Sequence, residues 1–160
     1  MSEAAKTLNP SPSPSPSKKT YTGSCHCGFL TYTAALDLAN LNATRCNCSI
    51  CLKKGVTAVP LKRDDFTLLS PASRDELGMY TFGKKNIHHY FCKTCGVAGF
   101  LEGTLTEGAF AGMEVFTING LTIDAEQGLD WSTVRLKYWD GKNDGWLKGS
   151  REEPWPHGSW

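Results

Sequence analysis

The chain's chemistry is concentrated in its seven cysteines, which fall in three short clusters. Cys46, Cys48 and Cys51 lie within the run RCNCSIC, Arg45 to Cys51. In a reducing compartment a CxCxxC run has one strong physical use, which is to close a tripod of thiolates on a soft or borderline cation. Zinc is the default, because it takes sulfur readily and favours four tetrahedral ligands. Three protein ligands leave one position for water or a substrate. The other four cysteines form a CxC (Cys25, Cys27) and a CxxC (Cys92, Cys95). Seven thiols therefore divide most naturally as four plus three, one closed zinc and one open zinc, two ions per chain.

Cys92-Lys93-Thr94-Cys95-Gly96 has the local chemistry of a zinc knuckle. Two residues between the thiols let the chain turn so that both sulfurs face one ion, and a glycine after the second cysteine accepts the positive φ of such a turn. A redox dithiol uses the same spacing, but no βαβ pattern surrounds this one and further thiols are at hand. Cys25-His26-Cys27-Gly28 supplies the complementary pair. A straight strand would hold its sulfurs too far apart for one tetrahedron, so a local bend is required there. Other pairings stay open on spacing alone, for example the CxC with two thiols of the tripod. A fourth ligand could also close the tripod into a second structural site, with His26, His88 and His89 as candidates. His88 and His89 precede Cys92 on an expected strand, where period two sends them to opposite faces. At most one of them should look into the site, as an acid–base group or as an ordinary surface residue.

The elements that must position these thiols read as strands. Phe29 to Ala34, Val56 to Leu61, Phe66 to Leu69, Met79 to Phe82, Ile87 to Phe91, Gly99 to Leu101, Phe110 to Ile118 and Val134 to Trp139 are rich in β-branched and aromatic residues. Turn signals such as Asp64-Asp65, Ser70-Pro71 and Gly83-Lys84 separate them, and the turn at Asp140-Gly141 follows the last. Helical periodicity is weak, with short candidates at Leu36 to Leu41 and Asp124 to Gln127. The expectation is a mainly β domain. Residues 1–19 read as a disordered Ser/Pro-rich leader, 20–143 as the zinc domain, and 144–160 as a C-terminal tail packed on the domain. All five tryptophans lie between Trp131 and Trp160. Most should cover the core, and the others could wall a pocket or support a homodimer contact.

With 160 residues, a net charge of +1 and a pI near 7.6, the chain shows no global field that would draw nucleic acid or membrane. No apolar run approaches the roughly 20 residues of a membrane helix, and the leader lacks a signal peptide's apolar stretch. The odd cysteine count fits metal sites better than disulfides, which points to a reducing compartment, the cytoplasm or the nucleus.

Three segments carry a family resemblance: GSCHCG (Gly23 to Gly28), RCNCSICLKKG (Arg45 to Gly55) and YTFGKKNIHHYFCKTCG (Tyr80 to Gly96). In order and separation they resemble the glutathione-dependent formaldehyde-activating enzyme family, and within it the centromere-protein-V-like branch (CENP-V/GFA), over roughly Tyr21 to Asn143. The resemblance implies an Mss4-like β-tent of stacked antiparallel sheets with two zinc-cysteine sites. It places a structural zinc on Cys25, Cys27, Cys92 and Cys95, and a second zinc on Cys46, Cys48 and Cys51. His89 matches a position that is often histidine in this branch, which makes it a candidate catalytic residue. The implied activity is that of a carbon–sulfur lyase joining a thiol such as glutathione, as co-substrate, to a small carbonyl such as formaldehyde. The same branch also implies an alternative, a zinc-stabilised binding module for glutathione, protein or microtubules, or a related enzyme on imine or other thiol adducts. A tubulin or nucleic-acid binder should carry a dense basic run, and the first 20 residues hold only Lys6, Lys18 and Lys19.

Overall fold

The computed structural model describes residues 18–158. In chain order it contains β1 (Lys19–Ser24), β2 (Thr31–Leu36), β3 (Ala43–Cys46), the six-residue helix α1 (Ser49–Lys54), β4 (Ala58–Pro60), β5 (Phe66–Ser70), β6 (Gly78–Tyr80), β7 (Ile87–Phe91), β8 (Ala98–Thr104), β9 (Glu114–Asn119) and β10 (Leu136–Trp139). Short 3-10 turns connect several of them, including Leu38–Asn40 and Ala125–Gln127, where the sequence suggested helix. The architecture is mainly β, as expected. Most of the expected leader, residues 1–17, lies outside the described residues, as does Trp160; β1 begins at Lys19.

Two sheets carry the fold. The smaller has the order β1-β2-β5 and is antiparallel. The larger has seven strands in the order β10-β3-β4-β9-β8-β7-β6. Its pairs are antiparallel except one: β10 runs parallel to β3, with Trp139 opposite Cys46. The larger sheet is therefore mixed rather than purely antiparallel. A parallel neighbour needs a long crossover, and here the chain from β3 passes through six other strands of the two sheets before β10 returns beside it.

The patterns of β2 and β5 explain how the sheets meet. Along β2, Tyr32, Ala34 and Leu36 are buried in strict alternation, the period-two signature of a strand with one face on the core. Tyr32 stacks on Phe66 of β5 with centroids 5.1 Å apart, and Phe66 in turn meets Phe100 of β8 at 5.0 Å and Phe116 of β9 at 4.8 Å. This aromatic chain joins one sheet to the other. Tyr32 also shares a hydrogen bond of 2.8 Å with the Thr122 hydroxyl, so its buried phenol is satisfied. Its ring lies across Gly23 on β1, where any Cβ would fall 2.2 Å from the Tyr32 Cζ atom.

Trp131 packs against this core. Trp139 and Trp146 instead pair with each other, centroids 5.8 Å apart, and Trp155 donates its indole N–H to the Tyr138 carbonyl at 3.3 Å. Arg151 pairs with Tyr138 as an isolated bridge, so residues 145–158 lie back against β10. The tail thus serves one sheet edge more than the central core.

Candidate metal centres

The cysteines occupy turns and strand ends. Cys25 and Cys27 lie in the turn between β1 and β2, and Cys92 and Cys95 in the turn between β7 and β8. The two turns are built alike. Cys25 N–H donates to Leu30 O (2.9 Å) and Gly28 N–H to Cys25 O (3.0 Å); Cys92 N–H donates to Val97 O (3.0 Å) and Gly96 N–H to Cys92 O (2.9 Å). Gly28 and Gly96 sit at φ +78° and +76°, a region costly for residues with a Cβ. Gly28 supplies the bend that the CxC spacing demands. The turn also draws in Phe29 and Leu30, so β2 starts at Thr31 rather than at Phe29.

These turns bring Cys25, Cys27, Cys92 and Cys95 into one group, with sulfurs within 4.8 Å of one another. The Cys25–Cys27 and Cys27–Cys92 sulfur distances are 3.6 and 3.5 Å. A tetrahedron with Zn–S bonds of about 2.3 Å has edges of about 3.8 Å, whereas a disulfide holds its sulfurs near 2.05 Å. The spacing matches an ion's ligand cage, and all seven cysteines are free thiols. Leu30 N–H points at Cys25 Sγ from 3.2 Å, a donor suited to a thiolate. Backbone N–H groups of Val97 and Cys27 hold the Cys95 thiol down to about 6, which favours the thiolate that a metal requires.

Cys46, Cys48 and Cys51 form the second group, again with sulfurs within 4.8 Å of one another. Cys46 ends β3, Cys48 caps α1, and Cys51 lies in its first turn. Hydrogen bonds from Cys46 and Cys51 hold the Cys48 thiol far below its ordinary range, while Cys51 is pushed up by Cys46, Cys48 and burial. One thiolate is thus held between two protonated neighbours, an arrangement that favours exchanging the protons for a cation. Among the described residues, no histidine, aspartate or glutamate joins this group. His26, His88 and His89 therefore do not complete the tripod. The sulfur-rich donor sets of both groups fit zinc, in one case with four protein ligands and in the other with three.

The tripod is braced by residues whose part the sequence did not announce. Asn47, buried between two of its cysteines, donates from Nδ2 to Asp140 Oδ1 at 2.7 Å and accepts the Lys142 N–H on Oδ1 at 2.8 Å. Asn143 donates to both oxygens of the same carboxylate, at 3.1 and 3.0 Å. Asn47 and then Asn143 keep the Asp140 carboxyl below its usual range, so the acceptor stays ionised. Gly141 leaves room for the tripod's sulfurs, since a Cβ there would fall 2.4 Å from Cys46 Sγ and 2.9 Å from Trp146. The only sequence signal for this loop was the Asp140-Gly141 turn after β10.

His88 and His89 do part company as period two requires. His88 lines a cleft of about 1130 Å³ between the sheets, together with Tyr90 and Glu102, and none of the seven cysteines borders that cleft. His89 lines a small cavity of about 20 Å³ with Lys54 at the end of α1. Burial first and the Lys54 charge second push the His89 imidazole below its ordinary range, against an opposing pull from Cys48. Its ring stacks on Phe82 at 5.6 Å, and Phe82 stacks on Tyr80 at 5.9 Å. His26 is exposed in the first knuckle turn. Among the described residues no helix is long and apolar enough to cross a membrane.

Comparison with known proteins agrees with this arrangement. A crystal structure of a Rhodobacter sphaeroides protein from a structural genomics programme superposes with a TM-score of 0.57 and 25% identity, covering 74% of this chain and 98% of that one. The profile of the family described as "Glutathione-dependent formaldehyde-activating enzyme" matches residues 20–130, which span all seven cysteines. The chain therefore belongs to the glutathione-dependent formaldehyde-activating enzyme family.

Proposed function

We propose that the protein is a carbon–sulfur lyase-type enzyme that joins and separates a small thiol and a small carbonyl such as formaldehyde, with glutathione as the kind of thiol implied by the family. Cys25, Cys27, Cys92 and Cys95 would hold a structural zinc, and Cys46, Cys48 and Cys51 would hold a second zinc through three protein ligands. The observation that carries this reading is the three-sulfur group, joined by no fourth side-chain donor among the described residues and placed beside His89 and Lys54. Bound there, zinc would supply Lewis acidity, favouring a substrate thiolate and polarising a carbonyl.

The chain's own residues do the rest. His89 is kept neutral by burial and by Lys54, so one ring nitrogen is free to accept a proton. In the forward direction the thiol S–H proton passes to His89, a C–S bond forms, and the carbonyl oxygen takes a proton to become a hydroxyl. The sum is RSH + CH2O giving RS–CH2OH, with no other reactant. Phe82 stacks on His89 and Tyr80 on Phe82, and Phe91 lies against Lys54, so aromatic rings flank both groups. The Asn47–Asp140 brace holds the tripod in register.

Two-dimensional exchange NMR on a glutathione and formaldehyde mixture tests the proposal. Wild type should accelerate interconversion with the hydroxymethyl adduct, and Cys48→Ser at equal concentration should not. Absence of acceleration by wild type carrying two zinc equivalents would overturn it.

A further inference from the structure

We propose that Lys54 recognises an anion on the substrate, so that the thiol taken by this site carries a carboxylate; the inference rests on the thiol–carbonyl reading above. Lys54 closes α1, one turn after Cys51. Its Nζ is enclosed and has no hydrogen-bond partner. Instead it lies 4.9 Å from the centroid of the Phe91 ring and 5.9 Å from that of Tyr80. Cation–π contact recovers about 0.5–2 kcal/mol, well short of the several kcal/mol that desolvating an ammonium costs. An anion near Nζ would supply the rest.

Two anions qualify. One is the tripod itself: Cys51 is the charge that opposes the effect of burial on Lys54. Three thiolates on a divalent ion carry a net charge of −1, but they offer Nζ no oxygen acceptor for its three N–H donors. A carboxylate does, and it makes the charge-assisted hydrogen bond that Nζ lacks. Tyr80 lies on one side of Nζ. Its ring belongs to β6, the edge strand of the larger sheet, and the residue is 48% exposed beside the similarly exposed Met79 and Phe82. Turning that ring outward would open this side of Nζ and leave the Tyr80–His89 strand pair in place. A substrate whose sulfur is at the tripod and whose carboxylate is at Lys54 also spans the side on which His89 lies. Lys54 is thus a binding and specificity residue, while His89 handles the proton.

The test uses the full-length, zinc-loaded protein and two thiols of nearly equal size, 3-mercaptopropionate and its uncharged amide. Calorimetry should show wild type binding the acid about ten- to one-hundredfold more tightly than the amide, the range for a charge-assisted hydrogen bond out of water. Lys54→Met keeps the apolar stem and removes the ammonium; in this variant the acid-to-amide ratio should fall to about one, with zinc content unchanged by elemental analysis. In wild type, the Lys54 ¹³Cε resonance should move on titration with the acid and stay in place with the amide. Equal affinity for acid and amide, or a preference that survives in Lys54→Met, overturns the proposal. Loss of zinc from Lys54→Met also overturns it, assigning the ammonium to charge balance of the cluster. Exchange kinetics with formaldehyde separate the two readings. Acid preference without acceleration supports Lys54 and refutes the catalytic assignment, and acceleration without acid preference does the reverse.

Discussion

Asn47 and Asp140 lie 93 residues apart in sequence, and a hydrogen bond of 2.7 Å ties them together behind the thiol tripod. The bond couples the turn that carries Cys46 and Cys48 to the loop that follows β10. The parallel β3–β10 pair sets this up, because it delivers Trp139 opposite Cys46 and leaves Asp140 to face Asn47. Asn47 N–H completes the junction on the Trp139 carbonyl at 3.2 Å. A buried carboxylate is tolerated here because three side-chain N–H bonds from two asparagines satisfy it.

Replacing Asp140 by Ala leaves the buried Asn47 amide without its acceptor, at a cost of about 1–3 kcal/mol. For a chain of this size that is a fall in Tm of roughly 2–12 °C. The second zinc equivalent should dissociate more readily while the first is retained. The pH dependence has a definite sign. A depressed carboxyl pKa stabilises the fold above the unfolded value near 3.8 and loses that contribution as pH falls through the folded value. Differential scanning calorimetry should find the gap between wild type and Asp140→Asn largest above about pH 4 and closing below it. A gap independent of pH would refute the ionised brace.

Gly141→Ala tests the space rather than the hydrogen bonds. Its Cβ would meet Cys46 Sγ at 2.4 Å and the Trp146 ring at 2.9 Å. One of the two must move, and the ring is the freer because Trp146 is exposed. Elemental analysis after dialysis against a mild chelator should show selective loss of one zinc, with tryptophan fluorescence altered. Two zincs retained at wild-type affinity would mean that the loop adjusts without touching the tripod.

The two sulfur groups should fail differently. The four-thiol group clamps the β1–β2 turn of one sheet to the β7–β8 turn of the other. A structural zinc contributes roughly 10–16 kcal/mol to a small domain whose net stability is about 5–15 kcal/mol. Cys95→Ser should therefore give unfolded or insoluble protein. The tripod connects residues only five apart in sequence, and Cys48→Ser should fold cooperatively with one zinc. Soluble Cys95→Ser with both zincs, or unfolded Cys48→Ser, would reverse the assignment of roles.

Strands rich in β-branched and aromatic residues were legible in the sequence because that composition is a local signal, and Ile87–Phe91 needed nothing more. The thiol clusters were legible because metal geometry constrains spacing directly. What escaped was what depends on distant partners. β3 is four residues long, and its place is fixed by pairing with β10 some 90 residues later. α1 is too short for periodicity to reveal; Gly55 ends it in a left-handed cap whose N–H returns to the Leu52 carbonyl at 3.3 Å. Asn47 and Asp140 look like loop residues until the β10 crossover brings them together. Lys54, one of several basic doublets, gains meaning only from the aromatic rings on β6 and β7 beside it.

His89 gives the last prediction, because its neutrality has two separable causes. Burial is the larger, and the Lys54 charge adds to it. A histidine with a depressed pKa is in its proton-accepting form above that value, so its titration in the zinc-loaded protein should lie below the ordinary 6.5. Lys54→Met removes one cause and leaves the other, and the His89 ¹³Cε1 titration should move upward while staying below the ordinary range. Substituting His89 by Gln should leave both zincs bound and lower the exchange rate by about 10²–10⁴-fold, the usual range for a general base. The residual rate should then lose the pH inflection that belongs to the imidazole. An unchanged profile in His89→Gln would remove this residue from the chemistry and leave the tripod to act without it.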